Sequence, residues 1–185
     1  MPDRSAPMIV LDRDGVINRD SDAFVRSADE WLPLPGSIEA IAGLYRQGYR
    51  IWVATNQSGL GRGLFDEHAL AAMHAKLERL VADAGGAIEG IVYCPHHPNA
   101  GCNCRKPRPG LLEQIEQLTG QRLSGQPIVG DSLRDLQAAR AVGGRPILVL
   151  TGKGAATAAA LPDDDDTEIF PDLAAVAAAL DPHGA

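Results

Sequence analysis

A chain of 185 residues with a formal net charge of −7 is long enough for one domain with a substantial core and short for two. Its acidic balance argues against a nucleic-acid surface or an anionic membrane as partner, and runs such as IVYC (91–94) and PILVL (146–150) fall far short of the roughly 18 to 20 apolar residues that span a bilayer. The N-terminal MPDRSAPMIVLDRDG has no apolar signal-peptide core, so a cytoplasmic protein is expected, and three cysteines in a reducing compartment argue against a disulfide framework.

Short β-rich runs alternate with segments of helical period, the pattern of a parallel sheet covered by helices. MIVLD (8–12) reads as the first strand and SIEAIAGLYRQG (37–48) as a helix capped by Ser37 and stopped by Gly48. YRIWVATN (49–56) is the second strand. DEHALAAMHAKLERLVADAGG (66–86) is the clearest helix, with Asp66 as N-cap and Leu70, Met73, Leu77, Leu80 and Val81 along one face. IEGIVYC (88–94) is the third strand, and GLLEQIEQLTG (110–120) a helix with Pro109 near its first turn. QPIVGD (126–131) is a strand, SLRDLQAARAVG (132–143) its helix and RPILVLTG (145–152) the fifth strand. AALPDDDD (159–166) reads as a solvated loop, because adjacent like charges repel. TEIFPDLAAVAAAL (167–180) predicts one more short strand and a helix. The segments from Asn18 to Pro35 and from Asn56 to Asp66 are too short for an inserted domain.

In an open α/β sheet, ligands bind beyond the carboxyl ends of the strands. The predicted strands end in LDRDG, ATNQSG, a cysteine loop and VGDSLRD. Asp12 and Asp14 leave the same side of an extended chain, where they can share a divalent cation or divide the work of nucleophile and general acid; one of them can equally cap the turn before Gly15. Asp131 and Asp135 form a second acidic pair, with Asp131 also a plausible N-cap. Lys106 is held extended by the proline that follows it. Together with Thr55 these residues make a site for Mg²⁺ and a phosphate, since hard oxygen ligands suit that ion. The loop CPHHPNAGCNC (94–104) leaves a disulfide, a catalytic thiol and a metal open. Gly59, Gly61 and Gly63 match neither a dinucleotide fingerprint nor a Walker loop. His68, His74 and His183 have no ligand-like neighbours and read as surface or helix residues.

LDRDGVIN, TNQSG, CRKP and GDSLRD resemble, in this order, the four motifs of the haloacid dehalogenase superfamily, over residues 8 to about 153. Within it, NQSGLGRGLF, CPHHP, CRKPRPG and LVLTGKG are similar to the heptose 1,7-bisphosphate 7-phosphatases. The related histidinol-phosphate phosphatases share a similar zinc loop, and the five residues between His96 and Cys102 are closer to their spacing, so histidinol phosphate is the alternative substrate.

The resemblance implies an α/β, three-layer Rossmann-like fold in one domain over 1–185, with a mainly parallel sheet, no large cap and a zinc-bound loop. It implies a Mg²⁺-dependent phosphatase that converts the bisphosphate to heptose 1-phosphate for lipopolysaccharide core synthesis. Asp12 would attack phosphorus, Asp14 would act as acid and then base, and Thr55 and Lys106 would hold the phosphoryl oxygens. The Mg²⁺ ligands would be the Asp12 carboxylate, the Asp14 carbonyl and Asp131, with Asp135 orienting Lys106 or a metal-bound water. Asp20, Ser21, Asp22, Ala23, Thr55, Asn56, Gln57, Ser58, Arg105, Lys106 and Ser132 would border the phosphorylated sugar, although RDSDAFVRSADE (19–30) departs from the family's wording. Arg62 and Arg105 are placed to meet a second phosphate. Cys94, His96, Cys102 and Cys104 would bind a structural Zn²⁺ in a closed tetrahedron, with His97 as a loop residue. A monomer is expected.

Overall fold

The computed structural model describes residues 6–180. Its elements are β1 (Met8–Leu11), α1 (Ser37–Arg46), β2 (Arg50–Asn56), α2 (Ser58–Gly61), α3 (Glu67–Asp83), β3 (Gly90–Cys94), α4 (Gly110–Thr119), β4 (Pro127–Gly130), α5 (Leu133–Ala141), β5 (Arg145–Val149), α6 (Gly154–Ala160), β6 (Glu168–Phe170) and α7 (Leu173–Ala179). All strand pairs are parallel, in the order β3-β2-β1-β4-β5-β6. The order reverses direction at β1, which pairs with both β2 and β4, and that reversal opens a crevice at the carboxyl ends of these strands.

Both faces of the sheet are covered, so the strands are apolar on both sides rather than alternating. Ile9 and Leu11 of β1 face a core shared with Ile41, Leu44, Leu70, Met73, Leu77 and Val176. Met8 and Val10 face the opposite core, with Leu111, Leu112, Ile115, Ala138 and Ala139. The segment between Asn18 and Pro35 has no regular structure of its own and is pinned by two devices. Trp31 is fully buried in the first core, and the Lys76 ammonium of α3 donates to the carbonyls of Ala28 and Trp31, both at 2.7 Å.

Several details differ from the sequence-based expectation. Ser37 is not the cap of α1: Gly36 holds that position at φ 77°, and the Ser37 hydroxyl donates to Ile17 O at 2.6 Å and Leu34 O at 2.9 Å, tying the helix start to the loop after β1. Helices α2 and α6 were not expected, because four and seven residues are too few to show a period. The strand predicted to reach 152 ends at Val149. Of the acidic run, Asp163 and Asp164 are exposed, whereas Asp165 accepts from Arg140 at 2.7 Å and caps the Thr167 amide at 2.9 Å. His183 lies outside the described residues.

Candidate active site

Asp12 is the first residue beyond β1, and its amide donates to Val129 O at 2.9 Å, which continues the β1–β4 pairing past the end of the strand. Lys106 reaches this point from the loop after β3. Its buried ammonium lies 2.9 Å from Asp12 Oδ1, 2.6 Å from Asp135 Oδ1 and 2.8 Å from Ala54 O. Asn56, at the tip of β2, sets the reach by accepting from the Lys106 amide at 3.1 Å and donating to the Lys106 carbonyl at 3.2 Å. The other oxygen of Asp135 accepts from the amides of Asp131 and Ser132 and from the Ser132 hydroxyl, forming the capping box of α5. One side chain thus closes a helix and holds the lysine.

The charges do not balance within the protein. Burial, reinforced by Asp135, Asp131 and Asp14, raises the Asp12 pKa well above the usual carboxylate value. Burial pushes Asp131 up to about 6 even though the Lys153 amide donates to its Oδ2 at 2.9 Å. Against their own burial, Asp12 and Asp135 hold the Lys106 ammonium above its ordinary value, and Lys106 holds Asp135 below its own. Carboxylate oxygens of Asp12, Asp131 and Asp135 lie within 4.8 Å of one another. Because both Asp135 oxygens are already taken, the donors open to a cation are Asp12 and Asp131, a hard-oxygen pair that fits Mg²⁺. Gly15 and Gly152 close on Asp131: a Cβ at either would stand 2.1 or 2.2 Å from its Oδ2.

Asp14 is fixed by three neighbours. Its oxygens accept from Arg13 Nη2 at 3.0 Å and Nε at 3.2 Å, from Asn18 Nδ2 at 2.8 Å and from Gln57 Nε2 at 2.8 Å. Gln57 also donates to Thr55 Oγ1 at 3.0 Å, so the tip of β2 and the loop after β1 share one network. Arg13 was missed by sequence reasoning, since alternation along an extended chain sends it away from its two acidic neighbours. The turn at Gly15, which has φ 88°, folds it back beneath Asp14, fully buried. Its Nη1 lies 3.3 Å from His74 Nε2, and burial followed by this guanidinium lowers the His74 pKa to about 4, leaving a neutral imidazole as acceptor.

Asp12, Asp14, Thr55, Asn56, Gln57, Lys106, Asp131 and Asp135 share one cavity of about 260 Å³ at the carboxyl ends of β1, β2 and β4, which Arg13, Asn18 and His74 support from outside. Asp20, Ser21, Asp22, Ser58, Arg62, Arg105 and Ser132 line it with the residues already named. Ala23 does not. It is exposed, its carbonyl accepts from Arg26 Nε at 3.0 Å, and Phe24 and Val25 line the wall in its place. Phe24 takes a left-handed backbone, φ 66°, that turns its ring inward, and the Arg62 guanidinium stands 5.6 Å from the ring centroid. Arg134 and Lys153 also line the cavity and were not singled out from the sequence; the Lys153 ammonium lies 3.6 Å from Asp20.

Beside this cavity, Cys94, His96, Cys102 and Cys104 converge. Cys94 Sγ lies 3.5 Å from His96 Nδ1, 3.6 Å from Cys102 Sγ and 3.1 Å from Cys104 Sγ, and His96 Nδ1 lies 3.2 Å from Cys104 Sγ. A tetrahedron with Zn–S bonds of about 2.3 Å has edges of about 3.7 Å, so the four donors surround a zinc-sized centre with no position open for substrate. Burial and the Cys104 thiol push Cys94 up to about 12, so in the absence of a metal it is a protonated, unreactive thiol. His97 is set apart, its Nδ1 accepting from the Asn99 amide at 3.2 Å. Helix α2 abuts this knuckle at Gly61, where a Cβ would stand 2.7 Å from His97 N and 2.8 Å from Pro95 O.

Comparison with known proteins agrees with this geometry. A family described as polynucleotide kinase 3 phosphatase matches residues 8–133, and one described as HAD-hydrolase-like matches residues 103–176. The D-glycero-β-D-manno-heptose-1,7-bisphosphate 7-phosphatase of Pseudomonas aeruginosa is 56% identical over 95% of this chain and 98% of its own length. The Neisseria meningitidis enzyme of the same name is 57% identical over 81% of this chain and 80% of its own. The crystal structure of the D,D-heptose 1,7-bisphosphate phosphatase of Bordetella bronchiseptica, complexed with magnesium and phosphate, superposes with a TM-score of 0.90 at 53% identity, covering 94% of this chain and 97% of that one.

Proposed function

The chain belongs to the D,D-heptose 1,7-bisphosphate 7-phosphatase family of haloacid dehalogenase-like hydrolases, and from that premise we propose that it removes the C7 phosphate of D-glycero-D-manno-heptose 1,7-bisphosphate. The product is heptose 1-phosphate, a precursor of the nucleotide-activated heptose used in lipopolysaccharide core synthesis. The enzyme works in the cytoplasm as a single-domain monomer. The observation that supports this most directly is that one cavity has a buried side with Asp12, Lys106, Asp131 and Asp135 and a more exposed side where, beside Asp22 and the Asp20–Lys153 pair, three arginines, Arg62, Arg105 and Arg134, have no counter-charge among the described residues. A substrate with a phosphate at each end fits such a cavity.

In this reading Asp12 attacks the C7 phosphorus and the bond to the sugar oxygen breaks. Asp14 delivers its proton to that oxygen, then takes one from the water that cleaves the aspartyl-phosphate and releases inorganic phosphate. Two displacements by one pair of carboxylates replace a single harder one. Thr55 and Lys106 hold the phosphoryl oxygens, and Gln57 and Arg13 hold Asp14. Asp12, the Asp14 carbonyl and Asp131 would hold Mg²⁺, which supplies positive charge against the crowding of carboxylate and phosphate. Asp135 keeps Lys106 in place. Cys94, His96, Cys102 and Cys104 would hold Zn²⁺, which would supply a structural clamp on the loop that delivers Arg105 and Lys106.

The test is phosphate release in the presence of Mg²⁺ from both anomers of the heptose bisphosphate, beside histidinol phosphate at equal concentration. Strong preference for a heptose anomer is expected. Preference for histidinol phosphate would overturn the assignment.

A further inference from the structure

Three guanidinium groups line the cavity rim, those of Arg62, Arg105 and Arg134, and none forms an ion pair among the described residues. Arg62 is at least stacked on Phe24. The other two are placed unfavourably. Arg105 Nη1 is buried with no hydrogen-bond partner, an arrangement that costs free energy unless a ligand completes it. Arg105 and Arg134 line the same cavity, and neither has a carboxylate partner among the described residues.

Arg134 is the second residue of α5, at the end of the helix where the macrodipole is already positive and where acidic residues are favoured. The amides of Asp131 and Ser132 at that end are engaged by Asp135, so they are not what an anion would meet from this side. A single dianion between Arg105 and Arg134 would satisfy the orphaned Nη1, give the pair a counter-charge and favour the helix end. It would not be the reacting phosphate, because the neighbouring side chain, Lys106, points the other way, to Asp12 and Asp135.

We infer that Arg134, paired with Arg105, holds the phosphate that is not cleaved and so sets the preference of the enzyme for a sugar bisphosphate over a monophosphate. The inference rests on the bisphosphate reading of the site and adds to it a specificity-determining residue on α5. Arg134 is exposed, so substitutions there leave the fold intact.

The experiment measures kcat/KM of wild type, R134Q and R134K on heptose 1,7-bisphosphate and on heptose 7-phosphate. Alongside, it measures inhibition of p-nitrophenyl phosphate hydrolysis by fructose 1,6-bisphosphate and by fructose 6-phosphate. Loss of a charged hydrogen bond to a dianion should lower the bisphosphate-to-monophosphate ratio at least about tenfold in R134Q, with partial recovery in R134K. The same change should appear in the ratio of inhibition constants. Unchanged ratios, or equal losses on both members of each pair, would overturn the inference. A wild type that ignores the heptose bisphosphate would instead overturn the proposed substrate, and the inhibition ratios would still decide whether Arg134 reads a second phosphate.

Discussion

The inner end of the cavity and its rim are built in opposite ways. At the inner end, Asp12, Asp131, Asp135 and Lys106 project from the tips of β1 and β4, the first turn of α5 and one loop braced by Asn56; Lys106 lies 2.9 Å from Asp12 and 2.6 Å from Asp135, while Asp131 accepts from the Lys153 amide at 2.9 Å. At the rim, Phe24, Arg62, Arg105 and Arg134 project from loops and a helix end, and three guanidiniums wait without a counter-charge. In the proposed reading the chemistry is therefore held at the edge of the sheet, which changes little between proteins of one fold, and the choice of substrate by parts that can vary without disturbing it.

Breaking the inner end should have the largest effect. Asp12→Asn removes the attacking oxygen while keeping the shape, so phosphate release should fall by at least about 10³-fold with an unchanged melting temperature. Activity near the wild-type level would refute the nucleophile assignment. Zinc removal comes next and strikes the junction of the two regions. A Cys104→Ser variant, or the wild type stripped by a chelator, should lose roughly 3 kcal/mol or more of stability in denaturant unfolding, with the KM for the bisphosphate rising as Arg105 comes loose. A protein that contains no zinc and is indifferent to chelator would dismiss the knuckle.

Gly61→Ala is narrower, since the new Cβ meets the backbone of His97 and Pro95 and must push α2 off the knuckle. It should cost about 1 to 3 kcal/mol in thermal unfolding and weaken the bisphosphate through Arg62. The smallest effect is a pH dependence. The folded-state pKa of Asp131, about 6, lies above its ordinary 3.8, so in metal-free protein its stabilising contribution is complete below about pH 4 and is lost as pH rises through 6. Asp12 acts in the same direction. The gain in melting temperature from added Mg²⁺ should accordingly be larger at pH 7.5 than at 5.5, and Asp131→Asn should abolish most of that difference.

The two regions also differed in how far they could be read in advance. Strand-end acids were legible because a parallel sheet must place whatever follows its strands at one edge, and that geometry applies to Asp12, Thr55 and Asp131 without knowledge of any loop. Cys94, His96, Cys102 and Cys104 stood out by residue type, but their spacing alone left a disulfide, a thiol and a metal open; the resemblance to the family selected the metal, and the structure brings the four together. Arg13 was hidden by the turn that reverses its direction, and Phe24 by a backbone angle that no propensity assigns to a phenylalanine. Arg134 was hidden by its own helix, on which an exposed arginine looks like any solvated charge. Long-range packing decided these three, and a local pattern does not contain it.

Asp135 has a consequence for the motions of the molecule. Because its two oxygens bind Lys106 on one side and the amides of Asp131 and Ser132 on the other, the first turn of α5 cannot fray without disturbing the shortest of the three contacts that hold the lysine. Opening of the helix and loosening of Lys106 at its shortest contact become one event. Hydrogen exchange at these two amides should thus occur only through a large cooperative opening, and a bound phosphate held by Lys106 should slow it further, so the backbone at this point serves as a gauge of ligand occupancy.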